Sequence, residues 1–390
     1  MHFLDRTQLL ITVPMLAIAL LISSCDISNS GGDSDSTIQP PENYEFTRDG
    51  SSTVAYPGQT ARLDMLAEID SYMGQGDDGQ LLSEQELLNM FENSDGEGGE
   101  YFSYTEKQLR NKTFAPDLDN NLFQDIFAQA ADASQNGNSG VRAQNGVAGL
   151  IERENSGSDI LVSANGREFG QLVEKGLMGA VFYNQIFNEY LTDEKIGPNI
   201  ENSELEEGTN YTTKEHHFDE AFGYFGAPVD FESNWPDNRA EEARFWADYS
   251  NGADDELGMN DILMDAYIKG RTAIVNKDQD ALNEQVAILY ENLELLTAAT
   301  AVHYINSTLQ HLSNGDRGEA LHTLSEAWAF VNAIKYSPQR KLSIEELSKI
   351  METDFGENGN FWNVTSDGLN TAKSTLVETY PDLEPVQDQL

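Results

Sequence analysis

The sequence predicts an all-α protein, and three observations carry that reading. Apolar residues recur at spacings of three and four over long stretches, notably 168–191 and 259–335. Capping and breaking residues punctuate those stretches. Sustained alternation of apolar and polar residues, the mark of half-buried strands, is almost absent. With 390 residues, 39% of them hydrophobic, and 18 Phe and 15 Tyr, the chain can bury a real core as one large domain or two bundled subdomains. The formal net charge of −44, from 67 acidic against 23 basic side chains, therefore does not imply disorder. It does argue against nucleic-acid partners, which need clustered Lys and Arg to displace counterions.

At the amino terminus, residues 9–22 form an apolar run behind Arg6. It has the length of a secretory core and falls short of the ~20 residues of a membrane span. Ile22-Ser23-Ser24-Cys25 resembles a bacterial lipobox, which makes residues 1–24 a lipoprotein signal peptide and Cys25 the lipidated first residue of the mature chain. The expected partner is then the membrane, through a lipid anchor in the bacterial cell envelope, at the outer membrane or its periplasmic face. Cys25 is the single cysteine, so intrachain disulfides and Cys-rich metal sites are excluded. The Ser/Gly/Asp/Pro-rich residues 25–43 read as a flexible tether, 44–380 as the helical domain and 381–390 as a tail.

Within that domain, Ser83-Glu84-Gln85-Glu86 is a capping box opening a short helix with Leu87, Leu88 and Phe91 on its apolar side. A helix is expected over 119–133, with Leu122, Phe123, Ile126, Phe127 and Ala130 inward. Gly, Asn and Ser make 134–146 a loop. Next comes 168–191, whose Gly170, Gly176 and Gly179 suggest close helix–helix approach. Gly197-Pro198 ends it, and 201–210 reads as an acidic loop. Further helices are expected at about 238–249, 259–275, 279–313, 317–335 and 343–353, with Asp278 as an N-cap and Asn314-Gly315-Asp316 separating two of them.

One constellation carries chemistry. In Lys214-Glu-His-His-Phe-Asp-Glu220, a helix places His217 and Glu220 three apart and His216 and Glu220 four apart, each pair on one face. Imidazole with carboxylate suits a divalent metal such as Fe, Zn or Mn, with further ligands supplied from elsewhere. His217 and Glu220 are the foremost candidates, His216 and Asp219 the local alternates, and His303, His311 and His322, the last followed by Glu326, the distant ones. The competing reading makes His217 and Glu220 a buried hydrogen-bonded link. Neither HExxH nor the reversed motif is present, since Ala221 follows Glu220, and no G-x-S-x-G occurs, so an enzyme is not indicated.

The HxxE element His217-Phe218-Asp219-Glu220 resembles the GxHxxE motif of the imelysin-like proteins, with Glu215 standing at the motif's glycine. Tyr44-Glu-Phe-Thr-Arg-Asp-Gly, Gln59-Thr-Ala-Arg-Leu, Lys175-Gly-Leu-Met-Gly-Ala and His217-Phe-Asp-Glu-Ala-Phe-Gly-Tyr-Phe-Gly resemble a family of uncharacterised bacterial lipoproteins over about residues 44–380. The imelysin resemblance implies two packed helical bundles, an envelope location, and binding of a metal ion or metal-bearing ligand in iron acquisition. The other expectations are a docking lipoprotein partnering an outer-membrane transporter, with the His–Glu pair structural, and a hydrolase of unfamiliar geometry.

Two lesser candidates remain. Asn93-Ser-Asp95-Gly-Glu97-Gly98 has the alternating oxygens of a calcium loop, but Tyr104 stands where the bidentate Glu belongs. Trp235, Trp246 and Trp328 read as core aromatics, and Phe361-Trp362 as a candidate groove wall.

Overall fold

The computed structural model describes residues 37–94 and 102–390. Cys25, the apolar run before it and Asp95 and Glu97 lie outside the described residues. The first described element is a small hairpin, β1 (Thr47–Arg48) and β2 (Ser51–Ser52). Helices α1 (Pro57–Asp77), α2 (Glu84–Glu92) and α3 (Pro116–Asn138) follow, then a second hairpin, β3 (Gly149–Glu152) and β4 (Asp159–Val162). Helix α4 (Phe169–Leu177) runs on as two π-helical segments, Met178–Tyr183 and Ile186–Tyr190. After α5 (Asp193–Ile196) come α6 (Thr213–Phe225), α7 (Trp246–Gly252), α8 (Asp254–Leu257), α9 (Met259–Val275) and α10 (Gln279–Asn314). The chain closes with α11 (Arg317–Ala333), α12 (Ile344–Lys349) and α13 (Ser366–Thr379).

The fold is all-α, and the two hairpins are the only sheets among the described residues. Helix α10, 36 residues long, packs between α9 and α11; α11 packs on α4, α4 on α1, and α6 on α1, α9 and the second π-helical segment. Buried side chains from Tyr44 to Leu383 form one continuous core. Two glycines set how closely α6 is held. A Cβ at Gly223 would lie 2.6 Å from that of Tyr56 and 2.9 Å from that of Gln59, and one at Gly270 would lie 2.6 Å from the Phe218 ring. All three distances are far inside van der Waals contact, so α1 and α9 reach α6 only because these positions lack side chains.

Most expected helices are present near their expected bounds. Ser83 accepts from the Glu86 amide at 3.3 Å, and Asp278 from the Ala281 amide at 3.0 Å. Three expectations need correction. The segment expected as loop over 134–146 is helical to Asn138, because its small polar residues have tertiary partners. The Ser134 hydroxyl accepts from the Leu82 amide, the Asn136 amide donates to the Ala148 carbonyl, and Gly137 lies against Leu150 and Leu161. The helix expected at 238–249 is instead a 3-10 turn, Asp237–Glu242, and a separate α7. Phe245, at φ 51°, breaks the two apart while the Arg244 amide donates to the Gly226 carbonyl. The helix expected over 168–191 widens to π geometry halfway.

Three elements were not evident from the sequence. Helix α1 buries Leu63, Met65, Leu66, Ile69, Tyr72 and Met73 at spacings of three and four, opposite the exposed Thr60, Ala67 and Ser71, but Gly58, Gly74 and Gly76 and the buried Gln59 and Arg62 blur that stripe. Helix α13 and the β3–β4 hairpin are short and gain their burial from neighbours. At the edges of the domain, Asn276 brackets the Ile38 backbone with two hydrogen bonds of 2.9 Å, and Asn306 donates to the carbonyls of Gln387 and Leu390.

Candidate functional site

Helix α6 begins at a capping box in which Thr212 and Glu215 satisfy each other's amides, and it stops at Gly226 in the left-handed region. Its inner face sets buried charge beside the rings of Phe218, Phe222 and Phe225. Arg271 of α9, Asp219 and Glu215 are 0%, 0% and 1% exposed. Arg271 donates through Nε to Asp219 at 2.9 Å, through Nη1 to Glu215 at 3.0 Å and through Nη2 to Thr53 at 3.1 Å. Arg48 closes the group with a two-pronged contact to Glu215, and Asp219 also accepts from the Tyr44 hydroxyl at 2.8 Å and the Ala55 amide. Two cations thus balance two carboxylates, the condition under which buried charge is tolerated. Burial pushes Asp219 up to about 6, against the pull of Arg271. Burial raises Glu215 too, but Arg271 and Arg48 together hold it below its ordinary value. Glu215, at the glycine position of the resembled motif, thereby serves as cap and ion-pair partner at once, and Asp219 is occupied within the core.

The outer side of α6 holds the other predicted residues. His216 Nδ1 donates to the Ala55 carbonyl at 2.9 Å, with its ring stacked on Tyr211, and His217 Nδ1 donates to the Lys195 carbonyl at 2.8 Å. A carbonyl only accepts, so Nδ1 carries the hydrogen in each ring. The neutral form of either ring then keeps its lone pair on Nε2. Glu220 Oε1 accepts from Gln59 at 2.9 Å and from the Tyr190 hydroxyl at 3.1 Å, while its Oε2 lies 3.9 Å from His216 Nε2. The Tyr190 ring is 6.4 Å from that of His217. Thus His217 and Glu220 approach the buried Tyr190, His216 reaches Glu220 from the Ala55 and Tyr211 side, and Asp219 points away from them.

Behind that face lies a polar enclave between α1, the second π-helical segment and α6. The Lys112 and Lys195 ammonium groups each sit 6.0 Å from the Tyr190 ring centre. Lys195 pairs with Glu189 at 2.9 Å, whereas Arg62 donates to the carbonyls of Gln108 and Gly58. Among the described ion pairs neither Arg62 nor Lys112 has a carboxylate partner, although acids outnumber bases 67 to 23. Burial and the neighbouring Arg62 lower the Lys112 amine. Gln59 and Gln185 are 1% and 7% exposed, and the amide oxygen of each is buried without a donor. No sequence motif announces Lys112 or Gln185, but π-helical turns recur at functional sites. Arg271 had one faint signal, as the one charge within residues 270–275 at the end of α9.

The remaining histidines lie elsewhere. The sequence pair His322 and Glu326 does meet, at 3.5 Å, and His322 also binds Glu168 at 2.7 Å. No group of three or more His, Cys, Asp or Glu among the described residues is placed to hold a metal ion. Trp235, Trp246, Trp328 and Phe361 are core residues, and Trp362, half-buried, donates to the Ala164 carbonyl. None of the described helices is long and apolar enough to cross a membrane.

Neither the curated proteins nor the solved structures contain a match to this chain. A family model does match, over residues 41–380, which spans the hairpin, both histidines of α6 and the enclave. The chain therefore belongs to the family described as Domain of unknown function (DUF4856).

Proposed function

We propose that this chain is a lipid-anchored protein of the bacterial cell envelope that holds a metal-bearing ligand on the outer face of α6 and assists iron acquisition. The observation that carries the reading is the pair of carbonyl-anchored imidazoles. His216 and His217 each lock Nδ1 on a main-chain oxygen and keep Nε2 for a metal, the arrangement that orients histidine ligands in metal sites. Glu220 stands beside them with Oε2 facing outward from its two donors. Fewer than three protein donors leave most coordination positions open, so the metal, iron, zinc or manganese, arrives with ligands of its own. The basic groups around Tyr190 oppose a bare cation and favour an anionic chelate. The HxxE likeness to the imelysin-like proteins points the same way.

Elemental analysis and titration of the mature domain with Fe(III), Zn(II) and Mn(II), free and chelated, test this reading. His217→Ala and Glu220→Ala each weaken uptake at least about tenfold while helicity is retained, the usual range for lost ligands and their supports. Affinity also falls on acidification, because a protonated imidazole has no lone pair to give. Variants that bind like wild type but unfold at lower urea would make the pair a structural link instead.

That outcome would favour a docking role towards an outer-membrane transporter, for which Phe114 and Leu118, 51% and 75% exposed, supply apolar contact surface. Both readings share the anchor. Cys25→Ser is expected to release the protein from the membrane fraction, and unchanged fractionation would refute anchoring.

A further inference from the structure

The enclave behind Tyr190 has two unmet requirements that differ in kind. Among the described residues Arg62 and Lys112 have no carboxylate at ion-pair distance; Glu189 and Glu220 attract Lys112 from farther off, but Glu189 pairs with Lys195 and Glu220 is shared between Gln59 and Tyr190. An anion is therefore wanted. Gln59 and Gln185 present the opposite need: their amide nitrogens are used, by Glu220 and by the Lys112 carbonyl, so each amide's orientation is set and its oxygen is left facing inward as an acceptor with no donor. A buried acceptor left unpaired forfeits the hydrogen bond it had in water, so a hydrogen-bond donor is wanted as well. A plain carboxylate meets the first need and not the second, whereas inorganic phosphate keeps a P–OH hydrogen near neutral pH and is the rival that titration must separate. A bare metal ion meets neither, since it is repelled by the cations and has no hydrogen to give. Glu189 and Lys195, on the rim of the enclave, have side chains 39% and 30% exposed.

We propose that this enclave binds a hydroxycarboxylate, with the carboxylate on Arg62 and Lys112 and hydroxyl groups donating to Gln59 and Gln185. Hydroxycarboxylates also chelate hard metal ions through the same oxygens, so the inference rests on the preceding reading for the metal but stands on its own for the anion.

The test is calorimetric titration of the mature wild-type domain and its Lys112→Met variant with metal-free citrate, Fe(III) citrate and inorganic phosphate. Lys112→Met keeps the buried stem and removes one charge-assisted contact, so citrate affinity should fall about tenfold or more. A second readout does not depend on affinity: in 13C-methylated protein the Lys112 signal should titrate at higher pH once citrate is bound. Metal-free citrate binding that is lost in the variant, with Fe(III) citrate no tighter than citrate, sustains the enclave and overturns the metal reading. Fe(III) citrate binding equally to wild type and variant, with metal-free citrate not binding, overturns the enclave and leaves the metal reading standing. Phosphate binding as tightly as citrate, or a Lys112 signal that citrate does not move, overturns the hydroxycarboxylate assignment.

Discussion

Arg271→Met lowers the unfolding free energy by about 3–5 kcal/mol, the range for breaking a buried pair from one side. The guanidinium is fully buried and is the charged partner of Asp219 and, with Arg48, of Glu215. Methionine fills much of the volume but leaves two carboxylates in the core with only Arg48 to balance them. Arg48, with its side chain 32% exposed, is the internal control. Arg48→Met should cost only about 1 kcal/mol, because water replaces much of what is lost at the surface. Urea denaturation of both variants measures the contrast. Equal midpoint shifts would show that burial does not govern this network. The triple replacement Arg271→Met, Glu215→Gln, Asp219→Asn should recover part of the loss, since no uncompensated charge then remains inside. The acid side of the stability curve has two opposing contributions. Glu215, held below its ordinary value, stabilises the fold above its unfolded-state value, and that contribution is lost as pH falls through its folded one. Asp219, raised to about 6, acts in the opposite sense: the native state holds its proton more tightly, so stability declines as pH rises from about 4 to about 6.

Asp77→Asn should stabilise the protein by a few kcal/mol at pH 9 and change little at pH 5. Burial, with the nearby Glu168 charge, pushes Asp77 up from 3.8 to about 8, even though the Leu161 amide donates to its Oδ1 at 2.6 Å. A carboxylate raised in the folded state binds its proton more tightly there, so stability falls as pH rises from about 4 to about 8. A tenfold difference in proton affinity between folded and unfolded chains corresponds to about 1.4 kcal/mol. Asparagine keeps the acceptor for Leu161 and cannot ionise. Two neighbouring groups act in the same direction. Asp70 is raised to about 7 by burial and then by Glu174. His322 is raised by Glu168 and Glu326 against its own burial, so its contribution is present at low pH and lost as pH rises through its folded value. The wild type is therefore expected to weaken from pH 5 to pH 9 in urea unfolding, and Asp77→Asn to flatten that slope. Parallel pH profiles for the two proteins would remove Asp77 from the account.

Helix class and most helix positions were legible because they depend on neighbours in the chain. The spacing in 259–275 and 279–313 records which face must leave water, and Ser83, Asp278 and Gly315 act within one turn of themselves. The facing of His217 and Glu220 on one side of a helix was legible for the same reason. What local sequence could not decide is what those side chains meet. The buried stripe of α1 is blurred because it includes Gln59, Arg62 and Gly76, whose burial depends on distant partners, and the Ser/Asn/Gly end of α3 is helical only because Leu82, Ala148 and Leu161 cap and cover it. Asp219 and Glu220 are adjacent in sequence and alike in charge, yet one lies in the core with Arg271 and Tyr44 while the other faces Tyr190. Their separation is a rotation of one residue about the helix axis, and only the packing of α1 and α9 against Gly223 and Gly270 decides which direction is inside. Residue order along the chain was enough to dictate helices and a His–Glu face. Which carboxylate is buried, and the gathering of Gln59, Arg62, Lys112 and Gln185 into one enclave, came from tertiary packing, because electrostatic and hydrogen-bonding needs are set by whatever distant residue lies within a few ångströms.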